Sequence, residues 1–312
     1  MTIYLKQELL EARNRLKPYI HNTPVLQSRS INNIAGCELF FKCENFQKAG
    51  AFKMRGAMHK VLSLSKEEQE NGIATHSSGN YGQALALSAQ ILGIQATIVM
   101  PENSPQIKQD AVAAYGAKII KSGNSPQSRE DTLAKFLDSN HATECHPYND
   151  KQVIIGNSTA TQELLEKYEL DDIVAPLGGG GLLSGTLLAA KYFSSHTKVY
   201  GAEPKGADDA FRSIRDGKIH PSLHPDTIAD GLRTSLGNET FAVIKEHVTD
   251  ILLLNDTEIL AAMKMIWERM KIIVEPSSAI TLASILKNKA LFKGRKVGLI
   301  ISGGNVDIES CF

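Results

Sequence analysis

From Ile73 to Ser302, short apolar and β-branched runs alternate with stretches of about 10 to 15 residues patterned as helices. IATH, QATIVM and KIIKS read as strands, and GQALALSAQILG, SPQIKQDAVAAYG and SPQSREDTLAKFLDS read as the helices that follow them. A second series runs through helix 156–168, strand DDIVAP, helix 182–194 and strand TKVYGAEP. It continues with strand TDILLL, helices 257–270 and 277–287, and strand KVGLIIS. Strands joined through helices need crossover connections, which build parallel sheets with helices on both faces. The expected class is therefore α/β. With 312 residues and no Ser/Gly-rich linker, two lobes are expected. The smaller spans 72–149 and is inserted in a larger one made of 1–71 and 150–312.

Composition narrows the partners. Lys+Arg and Asp+Glu each total 34, so the chain lacks the basic excess that binding driven by nucleic-acid phosphates or an anionic membrane requires. No apolar run reaches the ~18 residues of a membrane span. The opening MTIYLKQELLEARNRLKPYI mixes charges at helical spacing and has no signal-peptide core, so the expected address is the cytoplasm. Cys37, Cys43, Cys145 and Cys311 form no CxxC pair and are expected as reduced thiols.

Four segments carry possible chemistry. Gly178 to Gly181 follow the buried strand IVAPL and open the helix LLSGTLLAAKYF. Glycines let backbone N–H groups converge and the helix terminus adds positive potential, so a phosphate suits this turn. The spacing is neither GxGxxG nor a GK[ST] loop, which argues against dinucleotides and nucleoside triphosphates there. Lys53, in Lys48-Ala49-Gly50-Ala51-Phe52-Lys53, enters a helix from a Gly-containing turn and suits a Schiff-base amine, although a lone lysine is more often a solvated charge. His76-Ser77-Ser78-Gly79-Asn80 ends a strand and starts a helix, where hydroxyls and free amides suit a carboxylate or simply cap the helix. Ser302-Gly303-Gly304-Asn305 follows VGLIIS at a carboxyl strand end, where open α/β sheets bind ligands.

Taken together, FQKAGAFKMRGA, HSSGNYGQALA, PLGGGGLLSG, GAEPKGADDA, TIADGLRTSLG, WERMK…VEPS and ISGGNVD resemble, in order and over nearly the whole chain, one family. It is the fold-type II pyridoxal-phosphate enzymes (tryptophan synthase β-like), and within them the serine racemase and serine/threonine dehydratase group. The resemblance implies Lys53 as the Schiff-base lysine, Phe52 against the cofactor ring and Asn80 on the ring hydroxyl. Gly178, Gly179, Gly180, Gly181 and Leu182 would hold the phosphate, and Ser302 would face the pyridine nitrogen. A serine there gives a milder electron sink than a carboxylate. Ser77, Ser78, Asn80, Arg129 and Ser235 match positions around the substrate carboxylate, and Tyr81 stands beside them where the family usually has histidine. Glu203, Asp209 and the Ala207 carbonyl match a divalent-cation site suited to Mg²⁺ or Ca²⁺; the simpler reading has Asp208 and Asp209 capping a helix. Ser28, Lys48, Gln83 and Tyr115 match the nucleotide-effector site of animal serine racemases, whereas Arg29 and Tyr148 do not, so ATP enters as an effector on a partial match only. The family's regulatory domain, and with it isoleucine feedback, is not expected.

The implied activity is loss of water and ammonia from L-serine or L-threonine to give a 2-oxo acid. Serine racemisation stays open, because Ser78 matches the acid/base opposite Lys53. Two rivals are a threo-3-hydroxyaspartate ammonia-lyase and a pyridoxal-phosphate-binding regulator without turnover. The partner is a small amino acid, and a homodimer is the expected assembly.

Overall fold

The computed structural model of the chain describes residues 2–104 and 106–307; Cys311 lies outside them. Ten strands form two sheets: β1 (Val25–Leu26), β2 (Glu38–Cys43), β3 (Ile73–His76), β4 (Ala96–Pro101), β5 (Lys118–Ser122), β6 (Thr143–Glu144), β7 (Asp172–Pro176), β8 (Lys198–Pro204), β9 (Asp250–Leu254) and β10 (Lys296–Ile301). The larger has the order β1-β2-β10-β7-β8-β9 and the smaller β5-β4-β3-β6. Every pairing is parallel except β1 with β2. The α/β architecture expected from the alternation is the one observed.

Alternation within strands shows why the central ones read as unbroken apolar runs. Val297, Leu299 and Ile301 of β10 enter one buried cluster with Leu39, Phe41 and Val174. Ile300, Phe40, Ile173 and Ala175 enter a second cluster on the opposite face. Both faces are covered, so neither can be polar. A third cluster joins Ile73, Ile98, Ala84 and Leu85 to Met54, Met58 and Val61, so the helix Lys53–Leu62 shares its core with the smaller sheet.

Some boundaries differ from the periodicity. The spacing predicts a helix over 156–168, but it runs Lys151–Lys167, because the Asp150 carboxylate caps it by accepting from the Gln152 and Val153 amides at 2.7 and 3.1 Å. The helix Asn238–His247 lies outside the periodic series, whereas Asp209–Asp216 is the helix that follows Asp208 and Asp209.

The helix that starts at Lys53 is held by buried charge. Arg55 is fully buried and pairs bidentately with Glu44 (2.7 and 2.9 Å) and with Glu163 (2.7 and 2.8 Å). Lys42 donates to the same Glu163 and to the Thr23 carbonyl. Such a network contributes little net stability over apolar packing, but losing one member strands an unpaired charge. It ties β2, the Lys53 helix and the helix Lys151–Lys167 into one frame.

Candidate active site

Parallel strands send their carboxyl ends to one edge, and the segments singled out above follow β2, β3, β7 and β10 there. Hydrogen bonds chain them together. The Phe52 amide donates to the Ser302 carbonyl (2.8 Å), and the Gly304 amide donates to Gly50 (2.9 Å). Asn305 Nδ2 donates to the Ala49 carbonyl and to Asn80 Oδ1 (2.8 and 3.0 Å). Asn80 Nδ2 in turn donates to both carboxylate oxygens of Glu275 (3.0 and 3.1 Å).

Lys53 is the first residue of its helix. Its Nζ donates to the Pro147 carbonyl at 3.1 Å and lies 5.0 and 5.7 Å from the ring centres of Phe52 and Tyr81. Burial lowers its ammonium to about 8, with Glu275 opposing the shift. A lysine so placed carries a sizeable neutral fraction near neutrality and can act as nucleophile and base. Tyr81 is buried in the third core cluster, and its hydroxyl has no partner among the described residues. The departure from the family's histidine therefore sits against the lysine.

The glycine run is a cradle that side chains would fill. A Cβ on Gly179 would come within 2.6 Å of the Tyr148 ring, and one on Gly178 within 2.8 Å of Leu232 Cα. Gly180 holds φ +86°, a left-handed conformation that favours glycine. Among the described residues the amides of Gly178 to Leu182 find no acceptor, as expected at the start of the helix Gly181–Phe193. Free N–H groups, a helix terminus and the nearby lysine fit a phosphorylated carbonyl cofactor.

In the loop that follows β3, Ser77 and Ser78 differ in role. Ser77 Oγ accepts from the Gly79 and Gly82 amides (3.4 and 3.1 Å) and so takes up one first-turn amide of the helix Asn80–Leu92, whose N-cap is Gly79. The half-buried Ser78 hydroxyl makes no hydrogen bond among the described residues, so capping does not account for it. His76 and His146 lie ring to ring at 6.2 Å. Burial holds both at about 4 and hence neutral, with Arg129 adding to the effect on His76 and His76 to that on His146. Arg129 forms no ion pair among the described residues, and its buried Nε has no partner. Ser235 Oγ accepts from the Ser222 amide at 2.8 Å.

At the end of β8, Glu203 caps the helix Asp209–Asp216 by accepting from Ala210 and Phe211 (2.7 and 2.8 Å). Neither Asp208 nor Asp209 caps it: Asp208 pairs with Arg212, and Asp209 Oδ2 is buried without a partner. Burial raises both buried acids, Glu203 far up, with Asp209 adding to it, and Asp209 to about 6. The two buried carboxylates are hard oxygen donors, close enough to repel one another, that a hard cation would neutralise.

Three contributors had no role assigned from sequence. Glu275 is buried against Asn80 and is pushed up to about 7 by burial first and Asp230 second. Asn305 orients the same amide, and Tyr148 closes over the glycine run. VEPS and ISGGNVD mark the first two only as parts of motifs; their partners lie far away in the chain.

Residues 16–303 match the family model described as pyridoxal-phosphate dependent enzyme. The chain is 48% identical to a serine racemase of Dictyostelium discoideum, covering 99% of this chain and 97% of the relative. It is 46% identical to a beta-hydroxyaspartate dehydratase of Paracoccus denitrificans, covering 99% and 98%. Its fold superposes on a solved maize serine racemase with a TM-score of 0.95 at 45% identity, over 98% of this chain and 94% of that one.

Proposed function

The chain belongs to the pyridoxal-phosphate dependent enzyme family, and we propose that it removes water and ammonia from L-serine or L-threonine and also racemises serine. When bound, the cofactor supplies an electron sink for the substrate's α-carbon. Lys53 would hold it, with Phe52 against the ring. The amides of Gly178 to Leu182 would take the phosphate, Asn80 the ring hydroxyl and Ser302 the pyridine nitrogen. Lys53, its pKa lowered to about 8 by burial, removes the α-proton from one face. The free Ser78 hydroxyl is the observation that carries racemisation: it is available to return a proton on the other face. Ser77, Asn80 and Ser235 would orient the substrate carboxylate.

Arg129 favours a second reading. A guanidinium with no carboxylate partner suits the distal acid of 3-hydroxyaspartate. Incubating the purified protein with L-serine, D-serine, L-threonine and 3-hydroxyaspartate, and measuring oxo acid, ammonia and enantiomer ratio, separates the readings. Product from the hydroxy monoacids supports the first, and product from 3-hydroxyaspartate alone supports the second. If a cofactor-loaded protein turns over none of them, the non-catalytic regulator stands instead.

We also assign Mg²⁺ or Ca²⁺ to Glu203, Asp209 and the Ala207 carbonyl, on the strength of the orphaned Asp209 oxygen. A chelator should lower the melting temperature of the parent and change Asp209→Ala little. Equal sensitivity of the two proteins would contradict the assignment.

A further inference from the structure

Behind Ser302 lies a second hydroxyl. Ser278 is fully buried on the helix Pro276–Lys287, and its Oγ is 3.0 Å from Ser302 Oγ. It accepts from the Gly303 amide and donates to the Gly303 carbonyl, both at 2.7 Å. We propose that Ser278 is a positioning residue that makes Ser302 a stronger donor to the cofactor's pyridine nitrogen, an inference that rests on the cofactor reading above.

Proton accounting carries it. A hydroxyl has one proton and two lone pairs. An unprotonated pyridine nitrogen needs a donor, so Ser302 must point its proton at the ring and accept from elsewhere. Ser278 is the hydroxyl within reach, and it can turn its own proton from the Gly303 carbonyl to Ser302 Oγ. That carbonyl is not abandoned, because the Glu275 amide also donates to it at 3.1 Å. The result is a chain from the Gly303 amide through Ser278 and Ser302 to the ring, in which each bond polarises the next. A better polarised Ser302 deepens the electron sink, which favours reprotonation of the α-carbon over loss of the β-hydroxyl.

The test uses holoenzyme carrying cofactor labelled with ¹⁵N in the ring. In Ser278→Ala the pyridine ¹⁵N resonance should move downfield, as expected when a hydrogen bond to that nitrogen weakens. The ratio of D-serine to pyruvate formed from L-serine should fall by about 2- to 10-fold, the effect of one hydrogen bond. Ser302→Ala should shift the resonance further, and adding Ser278→Ala to it should shift nothing more; a merely structural role for Ser278 would not show that coupling. A parent-like resonance and ratio in Ser278→Ala, with Ser302→Ala shifted, would overturn the role of Ser278 alone. A parent-like resonance in Ser302→Ala would overturn the placement of Ser302 at the ring, and the inference with it.

Discussion

Lys53→Ala is expected to lose the absorbance of lysine-bound cofactor and to lower turnover by more than about 10⁴-fold. That figure is the upper end of what one positioned acid/base supplies. Lys53 would do more than that, because it is both the covalent anchor and the base on one face of the α-carbon. Two neighbouring lysines are committed elsewhere: Lys42 donates to Glu163 inside the core, and Lys60 is paired with Asp150 at 2.8 Å. The substitution should leave the fold intact. Lys53 Nζ makes one hydrogen bond, to the Pro147 carbonyl, and the charge network that frames its helix belongs to Arg55. Absorbance, turnover and far-UV circular dichroism on the same sample check all three points. Retained turnover with the absorbance gone would count against the role of Lys53.

Ser78→Ala should divide the two reactions. The first-turn Gly82 amide goes to Ser77 and not to Ser78, so Ser78→Ala should change the melting temperature little, whereas Ser77→Ala should cost about 1 kcal/mol, one hydrogen bond. Formation of D-serine from L-serine should fall by about 10²- to 10⁴-fold. Pyruvate from L-serine should persist, since Lys53 still removes the α-proton. Pyruvate from D-serine should fall with racemisation, because that proton faces Ser78. An unchanged ratio of D-serine to pyruvate would show that Ser78 is not the second base.

What could be read from the chain follows from the range of the interactions. Strands such as IVAPL and VGLII announce themselves because both of their faces are buried, and a continuous apolar run records that directly. Val25–Leu26 and Thr143–Glu144 are too short to show a period and exist through their pairing with β2 and β3. Lys53, Asn80, the glycine run and Ser302 stand in local patterns of glycine and hydroxyl at strand ends, and those patterns carried them. Adjacent serines such as Ser77 and Ser78 are equivalent in sequence as partners for the first-turn amides, and only the fold gives that bond to Ser77. Glu275, Asn305 and Ser278 act across the fold, Glu275 on Asn80 over 195 positions and Asn305 on the same residue over 225. Nothing local in VEPSS or GGN specifies such partners.

Lys53 is proposed to carry the cofactor within the glycine cradle. Borohydride reduction of the protein loaded with pyridoxal 5'-phosphate, followed by proteolysis and mass mapping, tests it most directly. A single phosphopyridoxyl adduct is expected on Lys53, absent when the protein is denatured before loading. An adduct on another lysine, with Lys53 recovered unmodified, would contradict the account.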